Sequence, residues 1–230
     1  MIEIVQAEGT GEALPLALRN VRNVRGSAGA PAIADDLIVV GQPLSLRLTP
    51  ENARKDDELA HFIEAEAGQW HYHLITFSCT FVPAEDRQIA AAWVQVELTN
   101  ASATEYPAPI ATSMEPVKES RVRSISATAK IGVPCILLAP EISITGTKEQ
   151  EQVLLEARYE GTPRPAWHLG ETRWATVSGL QRLRLIARAS ASTEVTGVLS
   201  AGATVRYGRF GRSTFSYRSQ GPGPTVHLQA

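Results

Sequence analysis

The 230-residue chain is predicted to be all-β and mainly antiparallel: a β-sandwich, or two packed sheets, with one amphipathic helix near residues 50–67. Three observations predict this. Short runs of alternating or β-branched apolar residues recur between turn residues along most of the chain, as half-buried strands require. Only one segment carries helical start and stop signals together with a helix-spaced apolar stripe. Strands also do not alternate with helices of about 10–15 residues, which a parallel βαβ sheet would need.

Ile2–Val5 reads as a first strand and Leu14–Val24 as the next, with Leu14, Leu16 and Leu18 alternating against smaller residues. Gly26–Ala34 is small and Pro/Gly-bearing, the composition of a loop. Asp36–Val40 and Leu44–Leu48 read as a hairpin around Gly41-Gln42-Pro43, with Leu44, Leu46 and Leu48 on one face. The helix follows. Thr49 suits its N-cap, Pro50 its first position and Glu51 the positive end of its dipole; Leu59, Phe62 and Ile63 form its stripe and Gly68 its stop. The charged run Arg54–Glu58 reads as its solvated first half.

Trp70–Phe81 and Ile89–Leu98 read as a strand pair joined by the polar link Val82–Gln88. Val94, Val96 and Leu98 face one way, Gln95 and Glu97 the other. A Ser/Thr/Pro-rich break spans Asn100–Pro109. The whole chain, 1–230, reads as one β-rich domain, with a two-lobe split near 102–113 as the alternative. Arg121–Lys130 alternates small or apolar with polar residues. Gly132–Pro134 reads as a turn. Ile136–Leu138, Ile142–Thr145 and Val153–Tyr159 read as separate strands, with Lys148–Gln152 a loop or single helical turn before the last. In Leu180–Ala187, Leu183 and Leu185 alternate with Arg182 and Arg184; Val195–Val205 is a further strand, interrupted by Gly197 and Gly202. An aromatic-led strand, a break and a second strand occur twice, near Trp70–Leu98 and near Trp167–Val205, without a fixed motif.

Net charge is −2, which excludes a surface that binds nucleic acid or anionic lipid as a whole. No run of about 18 apolar residues is present, so no transmembrane helix is expected. The first residues carry no secretory signal, and a cytoplasmic location is the expectation. Cys79 and Cys135 lie in apolar, strand-like runs and are expected to be buried thiols, a bridge being the alternative.

No G-x-S-x-G elbow, Walker loop, H-E-x-x-H or G-x-G-x-x-G occurs, and the reading leans against an enzyme. His71 and His73 stand two apart on a strand, so both imidazoles point the same way. With His61 upstream they are the candidate metal ligands, zinc or another divalent ion being the implied cofactor. This H-x-H spacing resembles the start of cupin metal sites, but no glutamate follows at the short distance those sites use. Asp35-Asp36 reads as turn chemistry rather than an acid–base pair. Trp167, His168 and Trp174 read as sheet packing, a ligand platform being the alternative.

The least ordinary stretch is the tail. Arg206, Tyr207, Arg209, Phe210, Arg212, Phe215, Tyr217 and Arg218 fall within thirteen residues with no acid among them. Such a set suits an edge hairpin whose cations discourage aggregation; a protein partner is the first alternative, and nucleic acid or anionic lipid the second. The functional expectation is a non-enzymatic module acting through protein–protein contacts or self-association, a component of a larger complex. A metal-dependent enzyme using His71 and His73 is the alternative. A membrane-active β protein is a further one, because a Ser/Thr/Ala strand such as Arg121–Lys130 suits an amphipathic hairpin. A nucleic-acid partner is not expected.

Overall fold

The computed structural model describes residues 14–25, 33–34, 37–53, 57–101, 106–131, 142–170, 176–207, 213–221 and 223–228. Fifteen strands and one helix lie in them: β1 Leu14–Pro15, β2 Leu18–Arg25, β3 Ile33–Ala34, β4 Ile38–Val40, β5 Leu44–Leu48, α1 Asp57–Glu66, β6 Trp70–Phe81, β7 Arg87–Asn100, β8 Ile110–Glu115, β9 Lys118–Ile131, β10 Ile142–Arg158, β11 Ala166–Gly170, β12 Gly179–Ser190, β13 Val195–Tyr207, β14 Ser213–Ser219 and β15 Thr225–Leu228. The expected strand at Ile2–Val5, the turn at Gly132–Pro134 and the strand at Ile136–Leu138 lie outside the described residues. So do Asp35, Asp36, Cys135 and Trp174.

The strands form two packed antiparallel sheets, as the alternating pattern predicts. One sheet runs β1-β4-β6-β12-β8, with β5 also paired to β6. The other runs β3-β2-β14-β13-β7-β11-β10-β9, with β15 also paired to β13. Period-two burial explains the packing. Ile75, Phe77, Cys79 and Phe81 of β6, with Leu183, Leu185, Ala187 and Ala189 of β12, meet Ala92, Val94, Val96 and Leu98 of β7 and Leu199, Ala201, Ala203 and Val205 of β13 in one buried apolar cluster. Burying a large aliphatic or aromatic side chain contributes about 1.5–3 kcal/mol, so these central strands dominate stability.

Trp70–Phe81 and Ile89–Leu98 do not pair with each other. β6 pairs with β12 in one sheet, and β7 with β13 and β11 in the other. The polar link crosses between the sheets, closed by the small bridge Ala84–Arg87. Both strands are apolar on their inner faces, and facing them across the core buries more surface than pairing them edge to edge. The hairpin expected at residues 36–48 is also absent. β4 and β5 both run along β6, pairing with Cys79–Phe81 and Tyr72–Thr76. At the Gly41–Pro43 break the Gly41 N–H still donates to the Ser78 carbonyl, at 2.9 Å.

The helix starts later than its signals suggest. Thr49 organises a tight turn instead: Asn52 Oδ1 accepts from the Thr49 N–H at 2.8 Å, and the Thr49 carbonyl accepts from Ala53 at 3.0 Å. α1 then buries Ile63 and packs Leu59 and Ala60 against Leu48, Ala53, Tyr72 and Leu74, on the face of β6 opposite the inter-sheet core. Among the described residues no helix is long and apolar enough to cross a membrane.

Candidate functional site

The tail becomes the edge of β13 and all of β14, and period two sorts its residues. Phe215 and Tyr217 are buried, at 3% and 2% exposure. Tyr207 packs on them, its ring 5.6 Å from Phe215 and its hydroxyl 2.9 Å from that of Tyr217. Arg218 leaves by the other face and lies over the ring of Trp93, 5.4 Å from its centroid. A Cβ on Gly202 would stand 2.6 Å from Trp93 Nε1, so the glycine in the middle of β13 makes room for that ring. Arg206 is half-buried on β13. Arg209, Phe210 and Arg212 lie outside the described residues. The described aromatics of this stretch therefore serve the core, and they share no face with Arg218.

The histidines are also divided. His71 and His73 share the inner face of β6. His61 sits on α1, which covers the outer face, and its Nδ1 contacts the Asp57 carbonyl at 2.9 Å. Arg47 of β5 donates to His71 Nε2 at 2.7 Å, so that nitrogen is unprotonated. Burial, then the Arg47 charge, holds the His71 pKa below its usual range. His73 is only 2% exposed, and burial, His71 and Arg47 bring its pKa down to about 4. Among the described residues no three His, Cys, Asp or Glu side chains come together to hold a metal ion. The zinc reading of His61, His71 and His73 gains no support from this arrangement. Trp167 is fully buried, its ring at right angles to Phe77 and its indole N–H donating to the Pro116 carbonyl at 3.2 Å; His168 points away from it. Cys79 is a buried free thiol, its pKa pushed up to about 12.

What remains is a feature the sequence reading divided into pieces. β10 runs unbroken from Ile142 to Arg158, through Lys148–Gln152. It pairs with β11 only over Leu155–Arg158. Past a register shift between Val153 and Leu155 it pairs with β9 alone, in twelve consecutive positions from Val153↔Ser120 to Ile142↔Ile131. Over these twelve positions the two-stranded ribbon is about 35–40 Å long at the usual rise per residue.

Its register sorts the sequence by face. Ile131↔Ile142, Ala129↔Ile144 and Ala127↔Gly146 alternate with Lys130↔Ser143, Thr128↔Thr145 and Ser126↔Thr147. By strand alternation the first set, with Ile125, falls on one side of the ribbon, an aliphatic set, and the second, with Ser124↔Glu149, on the other, a hydroxyl-rich set. Nearer the root the aliphatic face continues as Lys148, Arg123↔Gln150 and Arg121↔Gln152, and the hydroxyl face as Val122↔Glu151. The detectable signal was the alternation of Arg121–Lys130; Gly146 and the charges at Lys148, Glu149 and Glu151 concealed the matching strand.

No protein-family model matches the sequence, and no curated protein matches it. Among solved structures the chain is similar to the NetB toxin of Clostridium perfringens in its membrane-inserted form, at 7% identity, over 94% of each chain, with a TM-score of 0.37. So distant a superposition carries no argument about what this chain does.

Proposed function

We propose that the protein is a self-assembling, membrane-inserting β protein. Copies associate through the edges of their β9–β10 ribbons, and the associated ribbons close into a barrel within a lipid bilayer. The reading rests on one observation: a two-stranded ribbon, beyond its last partner in the sheet, keeps one aliphatic and one hydroxyl face in register across its strands.

Three physical arguments connect that observation to the reading. A two-stranded hairpin is marginal in water by itself, so a ribbon of this kind gains from pairing with another copy. β9 ends its sheet and offers a 14-residue edge, a template for pairing with another chain. In hydrocarbon every backbone N–H and C=O must be paired, so strands can cross only as a closed barrel, apolar outward and polar inward. Crossing takes about 9–11 tilted residues per strand. The aliphatic alternation covers 125–131 of β9 and 142–147 of β10, and Lys148 marks its end. The expected assembly through self-association is retained, with the ribbon rather than the tail as its surface.

The test is dye release from lipid vesicles, read alongside oligomer mass in the recovered membranes. The unaltered protein releases dye and sediments as an oligomer. Ala127→Asp, on the aliphatic face, abolishes release; a charge there costs about 2–4 kcal/mol near the membrane midplane. Ser126→Asp, one residue away on the hydroxyl face, is tolerated. Equal effects of the two substitutions, or no release by the unaltered protein, would overturn the proposal.

A further inference from the structure

We infer that the inserted ribbon engages the anionic headgroups of the near leaflet, through Arg121, Arg123 and Lys148. The inference rests on the membrane reading and names the lipid class that the same ribbon takes.

Going toward the root, the aliphatic face passes Ile125 and then carries three cations in succession: Lys148 opposite Ile125, Arg123 opposite Gln150 and Arg121 opposite Gln152. The positions opposite these cations hold glutamine or isoleucine. The ribbon's acids at the same level, Glu149 and Glu151, occupy the alternate positions and so belong to the other face. The next acid on the cationic face is Glu119, beyond the register shift at the root. Charge is thus segregated by face: positive where the aliphatic band ends, negative where the hydroxyl band ends.

Charge segregation of this kind suits a headgroup layer. A strand whose aliphatic face lies against hydrocarbon places the next residues of that face at the interface, where phosphate and carboxylate oxygens are concentrated. A neutral protein surface or water would leave three like charges crowded without gain. Each basic residue near an anionic membrane surface raises affinity about five-fold, so three multiply it on the order of 100-fold. The attraction extends about one Debye length, ~10 Å at 0.1 M salt, and therefore falls as salt rises. Guanidinium groups add two-pronged recognition of phosphate.

The experiment compares vesicles of phosphatidylcholine alone with vesicles that also contain phosphatidylserine, measuring co-sedimentation and dye release on each. The expected result is binding at least about 10-fold tighter to the anionic vesicles, a preference that shrinks with added salt. Arg121→Gln/Arg123→Gln/Lys148→Gln removes the preference and leaves release from neutral vesicles unchanged. Arg121→Lys/Arg123→Lys retains most of it. Circular dichroism confirms that the variants are folded; should the glutamine variant fail to fold, the salt series on the unaltered protein decides. Equal binding and release on both vesicle types overturns this inference and leaves insertion standing. Release from neither removes insertion itself, and this inference with it.

Discussion

At the scale of single residues, His73 is the group whose protonation state the fold constrains most. It is buried, and the described groups that act on it are His71 on its own strand and Arg47 on β5, which disfavour a charge there. Its folded pKa of about 4 lies below the unfolded value of 6.5. Between those values the unfolded chain binds the extra proton. The stability the neutral form contributes is therefore complete above pH 6.5 and lost as pH falls toward 4, amounting to about 3 kcal/mol at most. Urea unfolding at pH 7.5 and 4.5 measures this, and His73→Phe should flatten the profile over that window. An equally steep fall in the variant would place the acid sensitivity elsewhere. The sequence reading was right about what two-residue spacing does, since His71 and His73 share a face. It was not able to see that the apolar stripe of α1 would dock on the opposite face and carry His61 away. Side-chain direction along a strand is local; which face a helix covers depends on the whole sheet.

At the scale of elements, the strands with one buried face were legible. β6, β7, β12 and β13 appear where alternation placed them, because burial and period two carry the same information. Partners were less legible. β4 and β5 are consecutive and turn-linked yet lie end to end along β6. β10 shows the opposite failure. Lys148–Gln152 has poor strand propensity, and the strand persists there because β9 supplies a partner at every position. That dependence makes the ribbon separable. From Val153 back to Ile142, β10 pairs among the described strands with β9 alone, and β9 among them with β10 alone. Replacing Arg121–Gln152 with Asn-Gly joins the paired residues Ser120 and Val153 through a favoured two-residue hairpin turn. The shortened protein should unfold cooperatively within a few degrees of the parent's midpoint and lose both oligomer formation and dye release. Collapse of the shortened protein would show that the ribbon is part of the body's stability.

At the scale of the molecule, two sheets packed on one core form a body, and past the register shift the ribbon pairs with no other described strand of it. In the proposed barrel each copy would turn the same alternate positions inward. Those positions hold Ser124, Ser126, Thr128, Ser143, Thr145 and Thr147, with Lys130 near the tip and Glu149 and Glu151 toward the root. Among the described positions, two acids against one base would give each copy one negative charge in excess, and a ring of copies would concentrate that excess at the entrance. Rings of acidic side chains favour cation passage. A salt gradient across a planar bilayer should therefore give a reversal potential on the cation side, most pronounced below about 0.1 M, where charges act over ~10 Å or more. Glu149→Gln/Glu151→Gln leaves Lys130 as the only formal charge among the described ribbon positions of that face and should carry the reversal potential toward the anion side, whereas Lys130→Gln should move it further toward cations. Preference for anions in the unaltered protein would mean that the acidic positions do not face the conduction path. The register would then place Arg121, Arg123 and Lys148 inward and the aliphatic face against water, which the cost of exposing Ile125, Ile131, Ile142 and Ile144 opposes.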